Sequence, residues 1–173
     1  MNRNYFIFAG TIAALITQSN VSAADAKSPE PRIFGTTQVQ EVYRVLLDRD
    51  ALLLESIMDV IMQKDIQDGQ VLVTAGSVQE CTYHYVTSTA LKAKNAYKTV
   101  RGPLEILNAG GIIAAGEPHL HITLSSSGKG AFGGHLEKGC RVLYLCEVTI
   151  LKYTGPPLMR RENENGISML QSK

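Results

Sequence analysis

The chain has 173 residues, enough for one ordinary domain. Its formal charge of only +1 at neutral pH argues against nucleic acid as a partner, because non-specific binding to phosphates requires many Lys and Arg side chains. None of its three cysteines forms a C-x-x-C pair, so zinc-ribbon and thioredoxin-like signatures are excluded.

The N-terminus has the three parts of a secretory signal peptide. Arg3 is followed by an apolar run over residues 5–16 and by Val21-Ser22-Ala23, which resembles a cleavage site. We therefore predict a signal peptide over residues 1–23 and export to the periplasm or the extracellular space. The apolar run is short for a membrane span, so no stable span is expected after cleavage. Cleavage leaves 16 basic and 16 acidic side chains, a formally neutral chain.

Residues 24–38 contain prolines and no apolar period, which predicts a flexible N-terminal arm before a domain over residues 39–153. Within that domain, residues 40–47 alternate weakly and indicate a strand buried largely on both faces. A helix follows, with Asp48 or Asp50 as its N-cap. Its apolar positions repeat every 3.6 residues and should pack on a sheet.

The pattern after Gly69 predicts strands, of which the last runs from Arg141 to Leu151 and places Glu147 between leucines. A carboxylate there needs a partner, a pocket or another subunit. The expected fold class is α+β, a compact and mainly antiparallel sheet with one main helix. One helix cannot cover all the apolar sheet surface, which favours oligomerisation. Residues 154–173 are polar and aperiodic, and a flexible C-terminal tail is predicted.

Three of the four histidines lie in two strands joined by the polar loop Ser126–Gly130. If Ser125 pairs with Ala131, then His121 pairs with His135, and His119 lies one diagonal step away. Residues two apart share a face of a strand, so all three imidazoles should point to one side. Three converging neutral imidazoles can bind zinc or another divalent transition metal and leave a fourth position open. The competing interpretation is a solvated strand face.

Two further features bear on chemistry. His84 is isolated in its strand and is interpreted as a surface or satisfied residue rather than a ligand. Cys140 and Cys146 lie on one strand, too far apart to bond if that strand is regular. The cysteines are interpreted as small buried residues. A disulfide that involves Cys81 is the alternative.

Three motifs in order carry a family resemblance. They are Gly102-Pro-Leu-Glu-Ile-Leu107, Gly116-x-Pro-His-Leu-His-Ile-x-Leu-Ser125, and Gly133-Gly-His-Leu-x-x-Gly-Cys140 followed by Cys146-Glu-Val148. The chain resembles the plant and prokaryote conserved (PPC) domain over about residues 41–152, a domain also found in plant AT-hook nuclear proteins. The resemblance implies a homotrimer with a histidine metal cluster near the subunit contacts. It adds Glu105 as a carboxylate beside a metal or ligand, or as a structural charge at a subunit interface.

The resemblance also brings a DNA-binding label, but that label belongs to the AT-hook, and this sequence has no Arg-Gly-Arg-Pro core. We expect an exported module that binds a metal or a small ligand. The alternative is a metal-dependent enzyme in which Glu105 or Glu117 acts as general base. Neither a substrate nor a catalytic residue is indicated by the sequence.

Overall fold

The computed structural model describes residues 29–173, of which Ile33–Lys173 form one compact unit. The predicted signal peptide lies outside the described residues. The elements of this unit, in chain order, are β1 (Gln38–Asp48), α1 (Leu53–Gln63), β2 (Asp68–Val86), β3 (Asn95–Ala114), β4 (Glu117–Ser126), β5 (Lys129–Leu136), β6 (Arg141–Thr154), β7 (Leu158–Glu162) and β8 (Ser168–Ser172). The mainly antiparallel sheet with a single helix is the fold class that the sequence predicts.

Six strands form one curled sheet in the order β1-β6-β2-β3-β4-β5, and every pairing is antiparallel. The sheet also closes on itself, because Tyr83 and His84 of β2 pair with Leu136 and His135 of β5. β2 and β3 are long strands of 19 and 20 residues with register shifts along them. Such bulges bend a strand and increase its twist, which lets the two ends of the sheet meet. One of these irregularities lies between Gly76 and Val78 of β2, where the register against β6 shifts.

The core lies between α1 and the inner face of the sheet. Leu53, Ile57 and Ile61 of the helix are buried, and they follow the predicted helical period. Burial of each such aliphatic side chain contributes roughly 1.5–3 kcal/mol to stability. In β4 the buried residues Leu120 and Ile122 alternate with histidines, so the histidines face away from this core.

The start of the helix differs from the prediction that Asp48 or Asp50 caps it. The N-cap is Leu52, which makes no side-chain capping hydrogen bond, whereas Asp50 lies in a turn with a φ of 70°. The Asp50 carboxylate instead accepts a hydrogen bond from the Gln79 side chain, 2.5 Å away. The backbone N–H of Leu53 donates to the Cys140 carbonyl at 2.8 Å, so a tertiary contact replaces the cap.

β1 is a strand, as predicted, but it is not buried on both faces. Its outer face exposes Val42 by 54% and Leu46 by 60%, because α1 covers only the opposite face of the sheet. The cross-strand partner of Leu46 is Glu147, which is also exposed. Leu72 and Leu145 extend this exposed apolar surface. We call the surface formed by Val42, Leu46, Leu72 and Leu145 the outer face.

The sequence predicts a flexible tail over residues 154–173, but the structure forms two strands in this segment. β7 and β8 form a two-stranded hairpin, in which Arg160 pairs with Leu170. The turn is held by the Asn163 side chain, whose Oδ1 accepts hydrogen bonds from the N–H groups of Asn165 and Ile167. The two strands are short and largely polar, so they show little apolar periodicity, and the turn residues are the main sequence signal of this hairpin.

Cys81 and Cys140 form a disulfide that joins β2 to the segment before β6. This is the bridge through Cys81 that the sequence left open. Cys146 is a free, buried thiol. Burial raises the pKa of this thiol to about 12, and the neighbouring Glu147 charge acts in the same direction.

Candidate metal centre

All four histidines of the chain meet on one side of the curled sheet. β4 supplies His119 and His121, β5 supplies His135, and β2 supplies His84. His121 pairs with His135 across the β4–β5 hairpin, so the predicted register is confirmed. The pairing places these side chains on a common face because directly opposed residues point to the same side of a sheet.

The first group, which we call the histidine trio, consists of His119, His121 and His135. One ring nitrogen from each lies within 4.8 Å of the others. The ring centroids of His119 and His135 are 4.8 Å apart, and those of His121 and His135 are 5.6 Å apart. Tetrahedral zinc bound by three imidazoles holds their nitrogens about 3.4 Å apart, so small ring rotations would produce that geometry. The donor set therefore fits a borderline divalent metal.

The electrostatics of the trio favour the protonation state that a metal requires. Burial lowers the pKa of His119 to about 4, assisted by the positive charge of Arg160 and by the neighbouring imidazoles. Burial also lowers the pKa of His135, and His84 contributes in the same direction while Glu137 opposes it. Both imidazoles are therefore neutral at pH 7, with a lone pair available for a metal.

His84 belongs to the site, although the sequence indicated an isolated residue. Its ring stacks on His135 with 4.5 Å between centroids, and its Nδ1 lies 2.5 Å from Oε1 of Glu137. His84, His135 and Glu137 form a second group whose ligand atoms also lie within 4.8 Å of one another. Glu137 could have been noticed because it follows His135 by two residues, the spacing at which side chains share a strand face, although it lies just after the end of β5. His84 could not, because the β2–β5 pairing is long-range.

The two carboxylates suggested by the sequence are placed differently. Glu105 lies on β3 and pairs with Ser125 of β4. Gly110, five residues further along β3, is the partner of His121. At about 3.3 Å per residue, Glu105 lies roughly 15 Å from the trio of its own chain. Glu117 is exposed at the start of β4 and lines the cavity in front of the histidines. Neither carboxylate completes either group of candidate ligands.

The histidines open into a cavity of about 730 Å³, a size typical of small-molecule sites. The β7–β8 hairpin forms one of its walls with Arg160 and residues 166–168. Ala93, before β3, and Asn95, the first residue of β3, also line it. Arg160 is half-buried, and one of its terminal nitrogens donates to the Ser168 carbonyl at 2.6 Å. The sequence did not indicate Arg160, because it lies in the segment expected to be flexible.

These features define a closed antiparallel α+β domain with a cluster of imidazoles at the base of an open cavity. The profile of the Plants and Prokaryotes Conserved (PCC) domain matches residues 35–154, and the chain belongs to this family. This is the family that the three sequence motifs indicate. Within residues 29–173, no helix combines the length and the apolar character needed to cross a bilayer.

Several solved structures share the fold. A metal-containing protein from Archaeoglobus fulgidus is 24% identical with a TM-score of 0.70, over 82% of this chain and 100% of that one. A plant- and prokaryote-conserved protein from Pyrococcus horikoshii is 19% identical with a TM-score of 0.68, over 82% and 99% of the two chains. A protein from Bacteroides thetaiotaomicron, proposed to bind DNA, is 21% identical with a TM-score of 0.66, over 78% and 94%. No curated protein sequence matches the chain significantly.

Proposed function

We propose that this chain is an exported, homotrimeric member of the family that binds a divalent transition metal, such as zinc, together with a small ligand. The observation that carries the proposal is the trio, in which three imidazole nitrogens lie within 4.8 Å of one another. Imidazole is a ligand that suits zinc, copper, iron and nickel. Three protein ligands leave a fourth coordination position for water or a ligand. The metal-containing description of the Archaeoglobus fulgidus protein agrees with this proposal.

The outer face supports assembly with further copies of the chain, and the family resemblance gives the number of subunits as three. Val42, Leu46, Leu72 and Leu145 are at least 36% exposed on one face of the sheet. A contiguous apolar surface of this kind is typical of an interface between subunits. Glu147 lies within it, next to Leu46, and would sit at the contact with another copy.

Export is supported by the predicted signal peptide and by the Cys81–Cys140 disulfide. Disulfides persist in the periplasm and outside the cell, whereas cytosolic thiols are kept reduced. Binding to DNA is a weaker alternative. It rests on the description of the Bacteroides thetaiotaomicron protein, and the near-neutral charge of this chain opposes it.

A metal-dependent enzyme is the second candidate, and the His84–Glu137 pair is the observation that favours it. The Glu137 carboxylate lies 2.5 Å from Nδ1 of His84 and holds the imidazole ring in one orientation beside the trio. An imidazole oriented in this way can act as a general base toward a water on the metal. This pair would take the role that the sequence assigned to Glu105 or Glu117.

The test is elemental analysis of the mature protein, purified without an affinity tag, for wild type and two variants. We expect about one metal ion per chain in wild type, and its loss in His121→Ala. His84→Ala is the matched control, since it removes an imidazole that is outside the trio. Retention of metal in His84→Ala assigns the ion to the trio. The opposite pattern would assign it to His84, His135 and Glu137, and no metal in any protein after reconstitution would contradict the proposal.

A further inference from the structure

Arg160 brings a positive charge to a site that already favours a cation. It lies on β7, beyond the family domain of residues 35–154, and it lines the cavity that contains the trio. His119, His121 and His135 line the same cavity, so the Arg160 side chain and the trio border one space. The hairpin thus adds a guanidinium to the histidine face that the shared domain does not supply.

This guanidinium lacks a counter-charge within the part of the chain that the structure describes. Among residues 29–173, no carboxylate lies within ion-pair distance of Arg160, whose guanidinium donates a hydrogen bond to the neutral Ser168 carbonyl. Glu117 lines the same cavity but forms no ion pair with Arg160, and Glu137 is paired with His84. A half-buried Arg beside a divalent cation is unfavourable unless an anion lies between them. The arrangement therefore calls for a negatively charged ligand.

We propose that the C-terminal hairpin completes a binding site for a small carboxylate, which coordinates the metal at the trio and accepts hydrogen bonds from Arg160. The inference deepens the proposed function and rests on it. A planar guanidinium matches a carboxylate through two parallel hydrogen bonds. The remaining walls are partly apolar, with Val86, Pro118 and Ile167 at the cavity. They suit an organic acid with a short carbon chain better than inorganic phosphate.

The chain offers a matched pair of variants. Arg160→Gln removes the charge that faces the cavity, and Arg161→Gln removes the same charge from the next residue, which is exposed and does not line the cavity. Each protein is loaded with Co²⁺, whose visible spectrum reports the ligands of the metal. An unchanged Co²⁺ spectrum before titration shows that a variant is folded around its metal. Oxalate is then added as the carboxylate probe, and inorganic phosphate is titrated separately.

We expect oxalate to change the spectrum of wild type and to bind Arg160→Gln about ten- to hundred-fold more weakly, the usual range for a hydrogen bond to a charged group. Arg161→Gln should bind oxalate as wild type does, since an exposed charge contributes little. Equal oxalate affinity in Arg160→Gln and Arg161→Gln would overturn the inference, as would tighter binding of phosphate than of oxalate. Failure of wild type to take up Co²⁺ would overturn the metal site itself and the inference with it.

Discussion

His84 and His135 face each other across the β2–β5 pairing, 51 positions apart in the chain, with 4.5 Å between their ring centroids. This pairing closes the sheet and brings the fourth imidazole to the other three. Gly134 makes the close approach feasible. A Cβ at this position would lie 2.2 Å from the His84 carbonyl oxygen.

Gly134→Ala should therefore strain the closure of the sheet. The new methyl group must displace backbone, so we expect the free energy of unfolding to fall by about 1–3 kcal/mol or more. The metal affinity of the trio should fall as well, because His135 is the next residue. Gly130→Ala is the control, since a Cβ there meets no atom within 4 Å. Urea denaturation of both variants tests this, and equal stability would show that β2 and β5 do not approach as closely as described.

Glu137→Ala should leave the half-buried His84 without its carboxylate partner. Loss of a hydrogen bond to a charged group is expected to lower the free energy of unfolding by about 1–3 kcal/mol. If the trio holds the metal, the metal content should not change. Glu164→Ala removes an exposed carboxylate as the control. A metal-free Glu137→Ala protein would instead place the ion in the second group.

Reduction of the Cys81–Cys140 disulfide should destabilise the fold. The bridge joins residues 59 positions apart. A disulfide that closes a loop of this length restricts the unfolded chain and raises the free energy of unfolding by about 2–4 kcal/mol. Urea denaturation with and without reductant measures the difference. The double variant Cys81→Ala, Cys140→Ala should be insensitive to reductant. An effect of reductant that persists in this double variant would mean that another group is responsible.

Leu46→Glu should weaken the proposed trimer, because it places a charge in the outer face beside Glu147. Light scattering of wild type is expected to give three times the mass of the mature chain, and the variant should shift toward the monomer. Leu91→Glu serves as the control, since Leu91 is 82% exposed in the loop between β2 and β3. A wild-type monomer would contradict the trimer.

Cys146 should resist thiol reagents in the folded protein. Burial raises its pKa from 9 to about 12, so little thiolate exists at pH 8. Between pH 9 and pH 12 the unfolded chain loses this proton first, and the contribution of Cys146 to the free energy of unfolding should decrease as pH rises. Labelling with iodoacetamide, followed by mass spectrometry, should be slow in buffer and fast in urea. Rapid labelling in buffer would indicate an accessible thiolate.

Much of the site could be read from the sequence because its main pairing is local. His121 and His135 belong to adjacent strands joined by a tight turn, and the two-residue period of a strand then places His119 on the same face. The family could likewise be recognised from its motifs, and the match over residues 35–154 agrees with them. The helical stripe of α1 followed from the 3.6-residue period.

The parts that could not be predicted depend on contacts between distant segments. His84 joins the site through a sheet closure that depends on bulges in long strands and on the missing side chain of Gly134. Arg160 reaches the cavity through a polar hairpin without apolar periodicity. The helix begins at Leu53 because a hydrogen bond from the Leu53 N–H to the Cys140 carbonyl replaces a capping side chain.

One physical distinction separates these two sets. Periodicity and turn chemistry act over a few residues, so they identify the face of a strand and the partner across a hairpin. Pairing of remote strands and docking of a terminal hairpin are decided by packing summed over the whole unit. The trio could therefore be predicted from the sequence. The positions of His84, Glu137 and Arg160 beside it are set by tertiary contacts.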